Sequence, residues 1–229
     1  MLGNTVKKDI RTLGYVLKRT NYAEADRILN LITPQGKISA IAKGVRKEKS
    51  KLAGGIEMFT LTDFNIHLGR GEFGVVTGAK MVKHYGEIVK DFSKMELAAM
   101  MLKKINKTAE NSDNAEYFKI LDQSLAGLNT SENAKLVEAW FLMNLTKATG
   151  EEINLHRDIN GEKLAIDARY FWDTMEGAFS KNKQGEFGAD EIKMLRLMLA
   201  TDLSVVKRVK LDGEMTSKIV RFARVASRV

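Results

Sequence analysis

The sequence predicts an α+β protein in two parts, a small antiparallel β-barrel followed by a mostly α-helical domain that carries one β-hairpin. Two observations predict it. Apolar residues alternate with a period of two through five short runs before about residue 83, and from Ser93 they recur with a period near 3.6. Glycine, proline and asparagine gather between the runs, where a chain that reverses direction needs them.

The first strand is Thr12–Lys18, with Leu13, Tyr15 and Leu17 on one face and a polar turn at Arg19–Asn21 after it. In the second, Arg27–Thr33, residues Ile28, Leu29, Leu31 and Ile32 are too continuous for a strand with one wet face, which predicts burial on both faces or a bulge. Pro34, Gln35 and Gly36 turn the chain into the third strand, Lys37–Lys43, where Ile38, Ala40 and Ala42 alternate against Lys37, Ser39 and Lys43; these two strands form a hairpin. Met58–Leu68 alternates with a change of phase near Asp63, the mark of a bulge. Residues 69–74 spell GRGEFG, the spacing of a dinucleotide-binding fingerprint. A strand, with Val75, Val76, Thr77 and Val82, follows where phosphate binding needs a helix N-terminus, so the better reading is a tight glycine hairpin leading into a fifth strand, Gly74–Lys83. Five short strands joined by hairpins and one basic loop describe a closed or partly open barrel of the OB type over residues 1–83.

In the helical part, Ser93 and Glu96 form a capping box ahead of Leu97, Met101 and Ile105 on one face. Asn114–Leu125 is a second helix. Asn129–Glu132 opens a third, on which Val137, Phe141 and Leu145 share a stripe and which Gly150 stops. The domain boundary therefore falls between Lys83 and Phe92, leaving residues 84–229 as the helical domain. Within it Glu151–Ile166 breaks the pattern: INLHRDI, the pair Asn160-Gly161 and EKLAI read as a hairpin at about 151–166 with a type I′ turn. Helical spacing resumes at Ala168–Phe179 and Asp190–Ala200. A last helix, Met215–Val229, aligns Lys218, Arg221, Arg224 and Arg228 along one side.

Composition narrows the function classes. With 44% apolar residues, one proline and no low-complexity tract, the chain is globular. No run of about 18 apolar residues occurs and Met1–Arg11 lacks the apolar centre of a signal peptide, which predicts a cytoplasmic protein without membrane contact. The absence of cysteine excludes disulfides, thiol nucleophiles and thiolate zinc sites together. The net charge of +8 is polarised: residues 1–80 hold 14 Lys/Arg against 7 Asp/Glu, residues 81–203 hold 16 against 20, and residues 204–229 hold 7 against 2. Basic ends around an acidic, apolar middle point to nucleic acid at the ends and protein contacts in the middle.

The densest basic feature is Lys37–Lys51, KISAIAKGVRKEKSK, a strand that runs past Gly44 into a loop where Arg46, Lys47, Lys49 and Lys51 stand against one acid, Glu48. A pinned strand delivering a mobile cationic loop suits a polyanion backbone; a solvated lysine-rich surface is the equally weighted alternative. Enzyme signatures fail one by one. His156, Arg157 and Asp158 spell the HRD of a kinase catalytic loop, but Lys163 stands where a kinase places Asn, and Asp63-Phe64-Asn65 is a poor, misplaced DFG. His67, His84 and His156 show no metal-ligand spacing. Glu24 and Asp26 fit a turn and strand entry, salt-bridged to Arg27 or Lys18, better than acid/base work. No cofactor is predicted.

Tyr22–Arg27 (YAEADR), Gly36–Lys51 (GKISAIAKGVRKEKSK) and Leu52–Thr60 (LAGGIEMFT), with the glycine loop and the helices after it, resemble the N-terminal signature of the RecO family of bacterial recombination mediators. The resemblance implies an OB domain and a helical domain, binding of single- and double-stranded DNA, strand annealing, and help in loading RecA onto DNA coated by single-strand-binding protein, usually with RecR. It implies work at the nucleoid in the cytoplasm, and no catalysis. On this reading Lys18, Arg19, Arg27, Lys37, Lys43, Arg46, Lys47, Lys49, Lys51 and Arg70 supply phosphate contacts, which carry affinity but no sequence readout. Lys218, Arg221, Arg224 and Arg228 form a second contact. Tyr15, Tyr22 and Phe73 are candidates for base stacking, with Tyr15 better placed in the core. Many members carry a cysteine zinc ribbon in the helical domain; Glu151–Gly188 has no cysteine, so the Asn160-Gly161 hairpin is expected to replace the metal with side-chain packing. Two alternatives stand beside this. One is a protein-interaction adaptor whose Met95, Met100, Met101, Met194 and Met198 dock partners, against the default that such methionines fill core gaps. The other is a nuclease on the same barrel, for which no carboxylate cluster is visible.

Overall fold

The computed structural model describes residues 8–69, 71–109, 114–131 and 133–227. The chain divides into two compact units, residues 1–125 and 126–229.

In the first unit, β1 (Lys8–Tyr22), β2 (Asp26–Thr33), β3 (Gly36–Ala42), β4 (Thr60–Leu68) and β5 (Gly74–His84) close into a barrel in the order β1-β2-β3-β5-β4. Neighbours are antiparallel except β3 and β5, which pair in parallel at Ala40↔Gly74 and Ile41↔Val75. A five-stranded barrel closed in this way has the OB topology. β1 is long enough to serve two neighbours: Lys8–Gly14 pairs with β4 and Tyr15–Tyr22 with β2, and the register shift between Val16 and Lys18 lets the strand bend between them. Val16, Leu29, Leu31, Ala40, Phe64, Ile66 and Val76 fill the interior. GRGEFG leads into β5 and not into a helix, and a Cβ on Gly74 would lie 2.7 Å from Ile66 Cγ2, so the close approach of β4 requires glycine there.

Two sequence expectations resolve at the level of single residues. β2 is buried on both faces at its end, where Leu31, Ile32 and Thr33 are each fully buried. In β4 the inward set is Thr60, Thr62, Phe64 and Ile66, an unbroken alternation; the change of phase reflects two buried threonines, not a flip of the strand. Register shifts against β5 do occur, between Leu61 and Thr62 and between Asn65 and Ile66, on either side of Asp63.

Helices α1 (Gly86–Val89), α2 (Phe92–Thr108) and α3 (Glu116–Thr130) follow; the unit boundary falls within α3, after Leu125. α2 is capped by Asp91, whose carboxylate accepts from the Lys94 N–H at 3.1 Å, so the expected Ser93/Glu96 box gives way to a cap two residues earlier. Tyr15 is buried on the outer side of β1, its ring 5.6 Å from that of Phe118, and its hydroxyl donates to Asp122 at 2.5 Å and lies 2.9 Å from that of Tyr85. Burial, then these hydrogen bonds, push the Tyr15 hydroxyl far above its ordinary range, so it stays neutral.

In the second unit, α4 (Ala134–Ala148) is capped by Asn133 and ends before Gly150, which takes φ +86°. Val137, Phe141 and Leu145 are fully buried as expected, and Leu136, Trp140, Leu142 and Met143 are buried too, so the helix is the centre of its unit. Strands β6 (Tyr170–Asp173) and β7 (Ala178–Lys181) form the one hairpin among the described residues here, and α5 (Ala189–Ala200), α6 (Leu203–Val206) and α7 (Gly213–Ala226) complete the unit. The hairpin expected at about 151–166 is reduced to a turn with a single bridge, Arg157↔Lys163. Its buried Asp158 accepts from the backbone N–H groups of Asn160 at 2.9 Å and Glu162 at 3.0 Å. The true strand pair occupies 170–181, where a helix was expected. Trp172, Phe179, Phe187 and Phe222 pack there edge-on or stacked, with ring centroids 4.8 to 5.8 Å apart. The residues do not fit a zinc ribbon: the chain has no cysteine, and no group of three or more His, Asp or Glu side chains is placed to hold a metal among the described residues.

Candidate nucleic-acid interface

The basic stretch after β3 is a succession of turns whose backbone is fixed at several points. Gly44 leaves the strand at φ +62° and donates its N–H to the Asp26 carboxylate at 2.7 Å. Arg46 N–H donates to the Ala25 carbonyl at 2.9 Å, while the Lys47 N–H bonds back to Gly44 and the Ser50 N–H to Lys47. Val45, 4% exposed, plugs the barrel core. The apolar anchor alternates with outward cations. Lys43, Arg46, Lys47, Lys49 and Lys51 are exposed, as is Lys18 on β1, and none of these six has a carboxylate at ion-pair distance among the described residues. The sequence reading missed what holds them: Asp26 is a lock between the β1–β2 turn and the basic loop, not a partner of Arg27 or Lys18.

The other nominated cations are placed differently. Arg19 pairs with Glu57 at 3.0 Å, Arg27 donates to Asn21 at 3.2 Å, and Lys37 Nζ donates to the Asn106 carbonyl near the end of α2 at 2.6 Å. Arg70 lies outside the described residues. On α7, Lys218 bonds Glu214 at 2.8 Å and Glu191 at 3.3 Å, and Arg221 bonds Glu186. Arg224 reaches both oxygens of Glu138, at 2.6 and 2.9 Å, and Glu138 is only 4% exposed. Hydrogen bonding to these carboxylates raises Lys218 and Arg224 further above their ordinary values. The α7 row is therefore engaged in internal ion pairs, and Arg228 lies outside the described residues.

Of the stacking candidates, Tyr15 is 1% exposed, Phe73 is half-buried and Tyr22 is 49% exposed. Of the five methionines, Met101, Met194 and Met198 are buried in cores, which removes them from a docking surface. The HRD triplet forms turns: Asn154 accepts from the N–H groups of His156 and Arg157. One feature of the second unit had no sequence signal. A groove of about 520 Å³ is lined by Ile153, Leu155 and Leu199, with Lys147, Glu151, Glu152, His156 and Arg196 around it. No described helix is long and apolar enough to cross a membrane.

The topology and the surface together define the class: an OB-fold protein with an edge of exposed cations that are not ion-paired among the described residues, and an appended helical domain. Family models agree on both parts. Residues 7–85 match the recombination protein O N-terminal domain and residues 89–225 the recombination protein O C-terminal domain, and the chain belongs to the RecO family of DNA repair proteins. It is 29% identical over 226 residues to a DNA repair protein RecO of Dehalococcoides mccartyi strain 195, covering 94% of this chain and 88% of the relative. A DNA repair protein RecO of Alkaliphilus metalliredigens is 24% identical over 212 residues, 89% of this chain and 86% of the relative, and one of Acetivibrio thermocellus is 30% identical over 165 residues, 71% and 65%.

Proposed function

We propose that this chain is a recombination mediator. It binds single- and double-stranded DNA without sequence specificity, anneals complementary strands by neutralising both at once, and with RecR helps load RecA onto DNA coated by single-strand-binding protein. It does so without catalysis, in the cytoplasm at the nucleoid. The observation that carries the reading is the row of exposed cations, not ion-paired among the described residues, at Lys18, Lys43, Arg46, Lys47, Lys49 and Lys51 beside the β1–β2 turn. Such a surface has charge for phosphates and no base-edge readout. The barrel, residues 1–83, is the part that grips DNA, and residues 84–229 are the part that meets protein partners.

The partner role draws on the groove floored by Ile153, Leu155 and Leu199, because an apolar floor beside Lys147 and Arg196 suits the acidic, apolar tail of single-strand-binding protein. The same groove is what keeps a purely adaptor role in view. Salt titration tests the first reading. With four to six phosphates engaged, log K on single strands falls against log salt with a slope of about −3 to −4, and a flat response removes the electrostatic mechanism. A strand-annealing assay with and without single-strand-binding protein separates mediator from adaptor: the adaptor binds the protein and anneals nothing.

A further inference from the structure

We propose that Asp26 is a positioning residue for the basic loop: its carboxylate, although negative and beside a phosphate-binding surface, raises affinity for nucleic acid by holding residues 43–47 in their binding shape. The inference rests on the DNA-binding reading above and adds to it a reason for the loop's cations to be in place before a ligand arrives.

The ladder between β2 and β3 ends at the pair Arg27↔Ala42. Past that pair a side chain takes over, and the Gly44 N–H donates to the Asp26 carboxylate at 2.7 Å. A hydrogen bond to an ionised acceptor is roughly twice as strong as a neutral one. This bond fixes the residue at which the chain turns out of the strand, since Gly44 takes φ +62°. The next turns are built on that residue. The Gly44 carbonyl accepts from the Lys47 N–H at 3.1 Å, the Lys47 carbonyl accepts from the Ser50 N–H at 3.0 Å, and the Arg46 N–H reaches back to the Ala25 carbonyl at 2.9 Å. The far end of the loop is anchored separately: Gly55 approaches β5 so closely that a Cβ on it would lie 2.4 Å from the Ala79 carbonyl oxygen. Of the hydrogen bonds that hold the near end, only the one to Asp26 uses a side chain, so substitution can remove it alone.

Removing Asp26 sets two effects against each other. Losing a negative charge next to cations strengthens binding to a polyanion. Releasing the loop weakens it, because freedom gained in the unbound protein must be given up in the complex. Salt screens the first effect beyond about 8 Å at physiological ionic strength and does not touch the second. Asp26 is half-buried and forms no ion pair with the loop cations among the described residues; its contact is with the backbone. The ordering effect therefore outweighs the charge, and an acid in this place favours binding of an acid.

The test uses the full chain and a labelled single strand. Asp26→Ala removes bond and charge together. It is expected to lower affinity about 10-fold, the low end of what a hydrogen bond to a charged group contributes. The slope of log K against log salt stays as in the wild type, because the same cations meet phosphates in the complex. Asp26→Asn removes the charge and keeps an acceptor for the Gly44 N–H, so it binds at least as tightly as the wild type. Amide hydrogen exchange reads the loop without ligand. The Gly44 and Arg46 N–H groups exchange slowly in the wild type and in Asp26→Asn and faster in Asp26→Ala, while the fully buried Leu29 and Leu31 keep their protection in all three. Undiminished affinity in Asp26→Ala overturns the inference, and so does an equal loss in Asp26→Asn. An unprotected Gly44 N–H in the free wild type overturns it with no variant needed, and faster exchange at Leu29 and Leu31 in Asp26→Ala assigns the residue to the barrel instead of the loop. The paired substitutions Arg46→Glu and Lys47→Glu test the ground beneath: if they leave affinity unchanged, the DNA-binding reading fails and the role of Asp26 in it fails too, whatever the exchange at Gly44 shows.

Discussion

The loop at 43–51, with five cations in nine residues, and helix α7, with three in fourteen, contain the same residue types and differ in what surrounds them. Along the loop, one apolar anchor, Val45, and a few backbone hydrogen bonds leave five cations facing solvent, none with a carboxylate at ion-pair distance among the described residues. Along α7, Lys218, Arg221 and Arg224 each meet a glutamate contributed from elsewhere in the chain: Glu191, Glu186 and Glu138. A row of cations is therefore not in itself an anion site. Phosphate affinity comes from charge whose counterions are mobile and can be released, and a glutamate at 2.6 Å is not such a counterion.

The comparison can be broken most directly at the loop. Reversing Arg46, Lys47, Lys49 and Lys51 to Glu is expected to lower affinity for single strands on the order of 100-fold at moderate salt and to flatten the salt slope by about 3, with no change in melting temperature. Anisotropy titration at several salt concentrations reads both; unchanged affinity and slope would take the loop out of the interface.

The next effect is the mirror image, large on stability and absent from DNA binding. Arg224→Ala leaves the buried Glu138 carboxylate without its partner and should cost about 2–3 kcal/mol in chemical denaturation. That is below the roughly 3–5 kcal/mol of a fully buried pair because the guanidinium is more than half exposed. A variant that loses DNA affinity and keeps its stability would make α7 an interface after all.

The smallest effect is a pH dependence on the α5–α7 contact. Burial alone would raise the Glu191 carboxyl; the Gly188 N–H, its own N–H and the Lys218 ammonium outweigh it and hold the group below its ordinary 4.5. A depressed carboxyl contributes its full stability above that value and loses it as pH falls through the folded value. The melting temperature should therefore drop below about pH 4.5, and less steeply in Glu191→Gln, as a thermal melt series in acid buffers would record.

Much of the barrel was legible because it depends on local alternation: all five strands lie within a few residues of where the period of two places them. What failed depended on distant or ambiguous signals. Apart from Glu214, four residues from Lys218 on the helix itself, the glutamates that occupy α7 lie 27, 35 and 86 residues away in sequence, so no window on the helix could find those three. Ala168, Phe171, Trp172, Met175 and Phe179 have apolar spacing that satisfies a helix, yet Asp173 turns the chain, its carboxylate accepting from the N–H groups of Met175 and Glu176, with Gly177 at φ +63°. For the candidate interface, the cations were legible and their accessibility was not. Arg19, Arg27 and Lys37 look the same as Lys43 or Arg46 in the sequence and differ only in having Glu57, Asn21 and Asn106 as partners.

The tie between Tyr15 and Asp122 has a practical corollary for anyone who wishes to isolate the barrel. A fragment that stops at residue 83 would strip Tyr85, Phe118 and Asp122 from the outside of β1, leaving Tyr15 and Ile32 bare to water and prone to self-association. Extending the cut to the end of α3, at Thr130, keeps that covering intact, so the smallest soluble piece should be about half again as long as the strands alone.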